Sequence, residues 1–283
     1  MLNEFSIGLR TADTEMDTMV PLSMSAEGVG AALYFLAFLA GSLAGGITGL
    51  LLVALGAAAL FSHLGHPQRS WRVITAANHA WISRGAMFTA GLIVLGGASL
   101  LLHGDGAFVL LLRAAALVCT FVVILYTGLL FSSINAVPFW TTPLLPVLFV
   151  LHSLTSAALL LTALLSLSGH GLAALPRECG AVLALLGCTL ALTWMLPAAA
   201  SRAEASQESA SLLTDGKLRP LFHQGALIAG LAVPLALVLL AYVERTSGWM
   251  SGLLLMTAVV LRLAGDVSFR FALLRAGVYT PLI

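Results

Sequence analysis

The chain has 283 residues, 60% of them hydrophobic and 9% charged, at a mean hydropathy of +1.03, whereas soluble domains carry about 25% charge. Its net charge of +1 offers no basic face to a nucleic-acid backbone, so no nucleic-acid partner is expected. Apolar runs recur along its length, each able to cross a ~30 Å hydrocarbon core as a helix, which predicts an all-α, polytopic transmembrane helical bundle surrounded by membrane lipid.

Residues 1–28 are polar and acidic, with Glu4, Asp13, Glu15, Asp17 and Glu27 against Arg10. They have neither a basic start nor a short apolar core ending in a cleavage motif. They read as a polar N-terminal tail before a membrane domain at 29–283. The first span is expected from Gly30 to Ser62, whose 33 residues make roughly 50 Å of helix. That is long for one crossing and short for two. One crossing is counted, with Gly45-Gly46 as a place to bend.

Five more spans are expected near 85–102, 108–133, 143–167, 179–200 and 221–243, and a last one near 248–273. The count is about seven, with eight possible. The connector 201–220 reads as an ordinary solvated loop, and Ser132–Thr142 as a polar loop with an interfacial Trp140. Cys119, Cys179 and Cys188 lack metal-ligand spacing and read as packing residues, so no iron–sulfur cluster is expected in this chain. With seven spans, the first, third and fifth loops and the C-terminus share one end. That end carries Arg69, Arg72, Arg84, Arg202, Lys217, Arg219, Arg270 and Arg275, against Arg10, Arg113, Arg177 and Arg245 on the other. The positive-inside rule makes the first end cytoplasmic and the N-terminus external.

Chemistry is expected at His63–Gly85, HLGHPQRSWRVITAANHAWISRG, where three His, three Arg, two Trp and an Asn fall within 23 residues. His63 ends a span, where it either accepts a proton or caps helix carbonyls. Tyr126 lies in the same half of its span as Ser133 and Asn135, as a hydrogen-bond donor or as a belt aromatic. Arg262, Asp266 and Arg270 recur every four residues on one helical face, as a proton relay or a self-neutralising ion stack. Haem needs paired histidines at matched depth, and only His152 lies well inside a span, so none is expected.

Three strings together, SHLGHPQRSW, WISRG and LYTGLLFSSINAVPFWTTPLLP, resemble NrfD/PsrC-type (polysulfide reductase) membrane subunits and the related dimethyl sulfoxide reductase anchor subunits. FLAGSLAGG and RFALLRAGVYTPL fit the former pattern, and the likeness covers most of 30–283. It implies a haem-free, non-catalytic anchor subunit in the cell (inner) membrane. Such a subunit exchanges electrons between menaquinone or ubiquinone and a four-cluster ferredoxin-like subunit, itself joined to a molybdopterin catalytic subunit. It implies quinone contacts at His63 and Tyr126, with Arg84, Asn135 and Asp266 as further candidates. Arg69, Trp71 and Arg72 are the expected contacts to the iron–sulfur partner.

Two departures stand out. The family has eight or more spans, and the anchor family's acidic residue after the loop is replaced by Ser83-Arg84-Gly85, which makes Asp266 or Glu27 the candidate proton acceptor. The family also places the HLGxP loop outside, whereas the charge count places it inside. The rival readings are a secondary transporter or proton pathway on the Arg262–Asp266 stack, and a b-type cytochrome subunit.

Overall fold

The computed structural model describes residues 18–62, 81–102, 104, 106–168, 175–243 and 249–280. Its long helices are α1 (Met19–Ala40), α2 (Leu43–Ser62), α3 (Trp81–Leu101), α4 (Ala107–Ser132), α5 (Leu144–Leu167) and α6 (Pro176–Met195). After a short amphipathic α7 (Glu204–Thr214) come α8, a π-helix over Pro220–Ala232 continued as α-helix over Val233–Val243, and α9 (Trp249–Arg275). Eight of these, all but α7, are long and apolar enough to cross a membrane. The chain is a multi-pass, all-α membrane protein.

The eighth span corrects the count of seven, and it comes from the N-terminus. Residues 19–28 are not tail but the first turns of α1, and the chain reverses before residue 43. Gly41 makes the reversal with φ 65°, where a side chain would be strained. Ser42 donates its N–H to Ala37 O at 2.9 Å and accepts the Gly45 N–H on Oγ at 3.2 Å, closing one helix and capping the next. Gly45 and Gly46 do not bend anything; they lie inside α2. Further along, a Cβ at Gly30 would sit 2.6 Å from Gly49 O, so α1 and α2 meet backbone to backbone.

α1 is a well-enclosed helix. It packs on α2, α4, α5 and α9, and Ser23, Ser25 and Glu27 are all buried. Taken over its full length α1 is as apolar as α3; its polar start and the two-residue turn at 41–42 are what merge it with α2 in the sequence. The outer helices instead show large apolar side chains to lipid, among them Leu55 on α2, Val94 on α3 and Leu111 on α4.

An even number of spans brings the N-terminal end of α1 to the same side as loop 63–80, not the opposite one. Contacts tie three segments of that side together. Thr280 N–H donates to Ala136 O at 3.0 Å, and Val278 N–H to Ser209 Oγ at 3.2 Å. Trp140 is buried rather than interfacial, its Nε1 donating to Leu273 O at 3.2 Å. The connector 201–220 is not a plain solvated loop: it holds α7, whose Ala205, Ser206, Ser209, Leu212 and Leu213 face the protein. Cysteines placed at the exposed Asn135 and Glu208 are expected to react with impermeant maleimide from one side of the membrane, and one at Ser168 from the other. Labelling of all three from a single side would break the eight-span alternation.

Candidate functional site

The α9 sequence sets Arg262, Asp266 and Arg270 one turn apart, and the fold encloses all three completely. Asp266 lies nine residues before the end of α9, about 13 Å into the helix. Arg270 Nε donates to Asp266 Oδ2 at 3.0 Å, while Arg262 Nη2 stands 3.8 Å from Oδ1. Charges in such a place persist only when paired and hydrogen-bonded. The neighbouring helices complete the pairing. Ser25 Oγ of α1 donates to Asp266 Oδ2, and Arg270 Nη2 donates to Ser153 Oγ of α5 at 3.0 Å, with its guanidinium 4.7 Å over the Phe149 ring. Arg262 donates to the His152 carbonyl at 3.0 Å and to Gly230 O of the π-helical segment at 3.4 Å.

His152 of α5 is fully buried and stacked on Phe269, ring centroids 3.9 Å apart. Its Nδ1 lies 3.0 Å from Arg262 Nη2 and 3.4 Å from Asp266 Oδ1. A guanidinium has no lone pair to offer, so Nδ1 accepts and Nε2–H donates to Thr193 Oγ1 at 3.0 Å. This assigns the neutral imidazole with its proton on Nε2.

On the other side of α1, Tyr126 Oη of α4 donates to Glu27 Oε2 at 2.6 Å. Two glycines make the slot for this pair. A Cβ on Gly85 would run into the Tyr126 ring, and one on Gly56 would lie 2.8 Å from Glu27 Cγ. The last residue of WISRG is thus a packing requirement of Tyr126. Thr89 lies beside the same carboxylate, but its Oγ1 makes no well-formed hydrogen bond.

Ser25 and Glu27 lie two positions apart on α1, so their side chains leave the helix on different faces. Through them α1 connects two buried acids, one paired to arginines and one to a tyrosine. Among the described residues Asp266 is the carboxylate that pairs with Arg262 and Arg270. Asp266 Oδ1, Arg262 Nε and Arg270 Nη1 have no hydrogen-bond partner among the described residues. The two acids stand in separate hydrogen-bond clusters on different faces of α1.

Of the expected site residues, Tyr126 and Asp266 enter this network, on opposite faces of α1. Arg84 and Asn135 lie outside it. Arg84 is partly exposed on the first turn of α3, 4.9 Å over the Trp81 ring, and Asn135 is exposed in the turn after α4. His63, Arg69, Trp71 and Arg72 fall outside the described residues. Ser25, His152, Ser153 and Thr193 were not anticipated, although one signal was present: small and polar residues in MSAEGVG run without a break into an apolar stretch. Among the described residues, no three of His, Cys, Asp or Glu gather as a metal site.

The sequence profile of one family, described as polysulphide reductase, NrfD, matches residues 28–281. No curated protein matches the chain.

Proposed function

The chain belongs to the polysulphide reductase NrfD family over nearly its whole length, and from that premise we propose that it is the quinone-interacting anchor of a membrane oxidoreductase complex. The observation that carries this reading is the Tyr126–Glu27 pair, a buried acid with a hydroxyl donor at 2.6 Å, in the helical half that leads to loops 63–80 and 133–143. A quinone supplies the exchange of two electrons and two protons. The chain's share is to hold the headgroup and manage the protons. Glu27 is the proton-holding group, Tyr126 fixes its orientation, and His63, Arg84 and Asn135 meet the headgroup from the loop side. Asp266, clamped by Arg270 on another face of α1, is a second candidate acid.

Electrons then pass to or from a ferredoxin-like iron–sulfur subunit seated on the same end, which a molybdopterin subunit completes. Arg69, Trp71 and Arg72 are the proposed contacts. With the N-terminus on that end, eight Arg/Lys (Arg10, Arg69, Arg72, Arg84, Arg202, Lys217, Arg219, Arg275) stand against Arg113, Arg177 and Arg245. The positive-inside rule places that end in the cytoplasm of an inner-membrane protein.

Both rivals are weaker. A transporter of the inverted-repeat kind needs broken helices in corresponding halves, whereas here one helix, α8, carries the irregular turns. Bis-histidine haem would require His152 to release its contacts to Arg262 and Thr193. The absorption spectrum of the purified subunit tests that reading by its Soret band.

Two measurements test the main reading. His63→Ala is expected to abolish quinol-linked turnover of the assembled complex while artificial dyes still serve the catalytic subunit. Unchanged quinol turnover would leave His63 a helix-end residue. Charge reversal of Arg69 and Arg72 together is expected to release the extrinsic subunits from membranes; retention at ordinary salt would move the docking surface elsewhere.

A further inference from the structure

At the opposite end of the bundle, α1, α2, α3 and α4 form a half-open cavity of about 310 Å³. Its rim faces lipid: Phe38, Leu43 and Leu102 are 44%, 55% and 42% exposed. Its floor is a hydroxyl pair. Ser99 Oγ donates to Gly96 O at 2.7 Å, so Tyr34 Oη must donate to Ser99 Oγ, also at 2.7 Å. Both protons are spent and the floor offers only lone pairs.

Arg113 is the one charged residue on the described wall. It is half-buried in the second turn of α4, about 9 Å along the helix. No carboxylate among the described residues forms an ion pair with it. An arginine inside a span is expensive, and its long stem lets the guanidinium rise to headgroup level. The planar fork of a guanidinium matches a phosphate. A neutral quinone ring would leave that charge unanswered and would find no donor on the floor.

We infer that this cavity binds an anionic phospholipid, its phosphate on Arg113 and an acyl chain along Ala37, Phe38 and Leu100. The site is remote from the Glu27–Tyr126 pair and does not depend on the quinone reading. It anchors the α1–α2 reversal to the α3–α4 pair through a lipid.

Native mass spectrometry of the intact complex, delipidated and titrated with phosphatidylglycerol, phosphatidylcholine or inorganic phosphate, tests this. The wild-type complex is expected to retain one tightly held phosphatidylglycerol, preferred over phosphatidylcholine by roughly ten- to a hundredfold, the size of one charge-assisted contact. Arg113→Gln should erase the preference and Arg113→Lys should keep part of it. Equal retention of both lipids by the wild type, or an unchanged preference in Arg113→Gln, overturns the proposal. So does displacement of the lipid by inorganic phosphate, which would mark a free-anion site, or by a soluble quinone analogue, which would mark a second quinone site. If Arg113→Gln does not assemble, the wild-type preference and its reduction in Arg113→Lys decide the matter.

Discussion

Replacing Asp266 by Asn is expected to destabilise the bundle by about 3–5 kcal/mol, the usual result of removing one partner from a buried ion pair. Asp266 is within 4 Å of two arginines, both with no exposure to solvent or lipid. Asn keeps the shape and can still accept from Ser25, so little packing is lost. What goes is the negative charge, which leaves Arg262 and Arg270 as two like charges one turn either side of a neutral residue. Adding Arg270→Gln should return part of the loss, because it removes one of the two like charges left facing each other. Their coupling is expected at about 0.5–3 kcal/mol. Unfolding of the purified subunit in mixed micelles measures both variants. An Asp266→Asn protein within ~1 kcal/mol of wild type, well under the ordinary cost of such a break, would mean that the arginines do not rely on this carboxylate.

The second large effect concerns chemistry. Glu27→Gln is expected to lower quinol-linked turnover by about a hundredfold, the lower range of what a positioned acid or base contributes. Dye-linked turnover and assembly should stay near wild type. The amide oxygen of Gln can accept from Tyr126 as the carboxylate does, so Gln keeps the hydrogen bond and the contact with Gly56. It removes only the capacity to take a proton. Tyr126→Phe leaves Glu27 buried without its donor, at about 1–3 kcal/mol, and is expected to slow quinol turnover less than Glu27→Gln. Normal quinol kinetics in both variants would make the pair a structural hydrogen bond between α1 and α4.

Much of this protein is written in its composition. Long apolar runs with almost no charge leave helical spans as the only way to satisfy the backbone in lipid, and six of the eight spans can be drawn from hydropathy within a few residues. The i, i+4 spacing of Arg262, Asp266 and Arg270 is enough to place them on one face, since a helix allows nothing else. The strings HLGHP and LYTGLLFSSINAVPFWTTPLLP carry the family.

What depended on the tertiary structure was everything decided by which helix is enclosed. α1 is as apolar as α3 over its full length, but its first turns are polar and only two residues separate it from α2. Its Ser23, Ser25 and Glu27 resemble a solvated tail, and the span and the shared end of the N-terminus are lost with it, although Glu27 itself stands out as a candidate proton acceptor. Partner choice was equally hidden. Tyr126 and Glu27 are 99 residues apart and Ser25 and Asp266 are 241 apart, so no local pattern links them. The same holds for Trp140, an interfacial aromatic by sequence and a core residue once Leu273 accepts from its indole. Periodicity states which side chains share a helix face; only the packing of helix on helix states what that face meets.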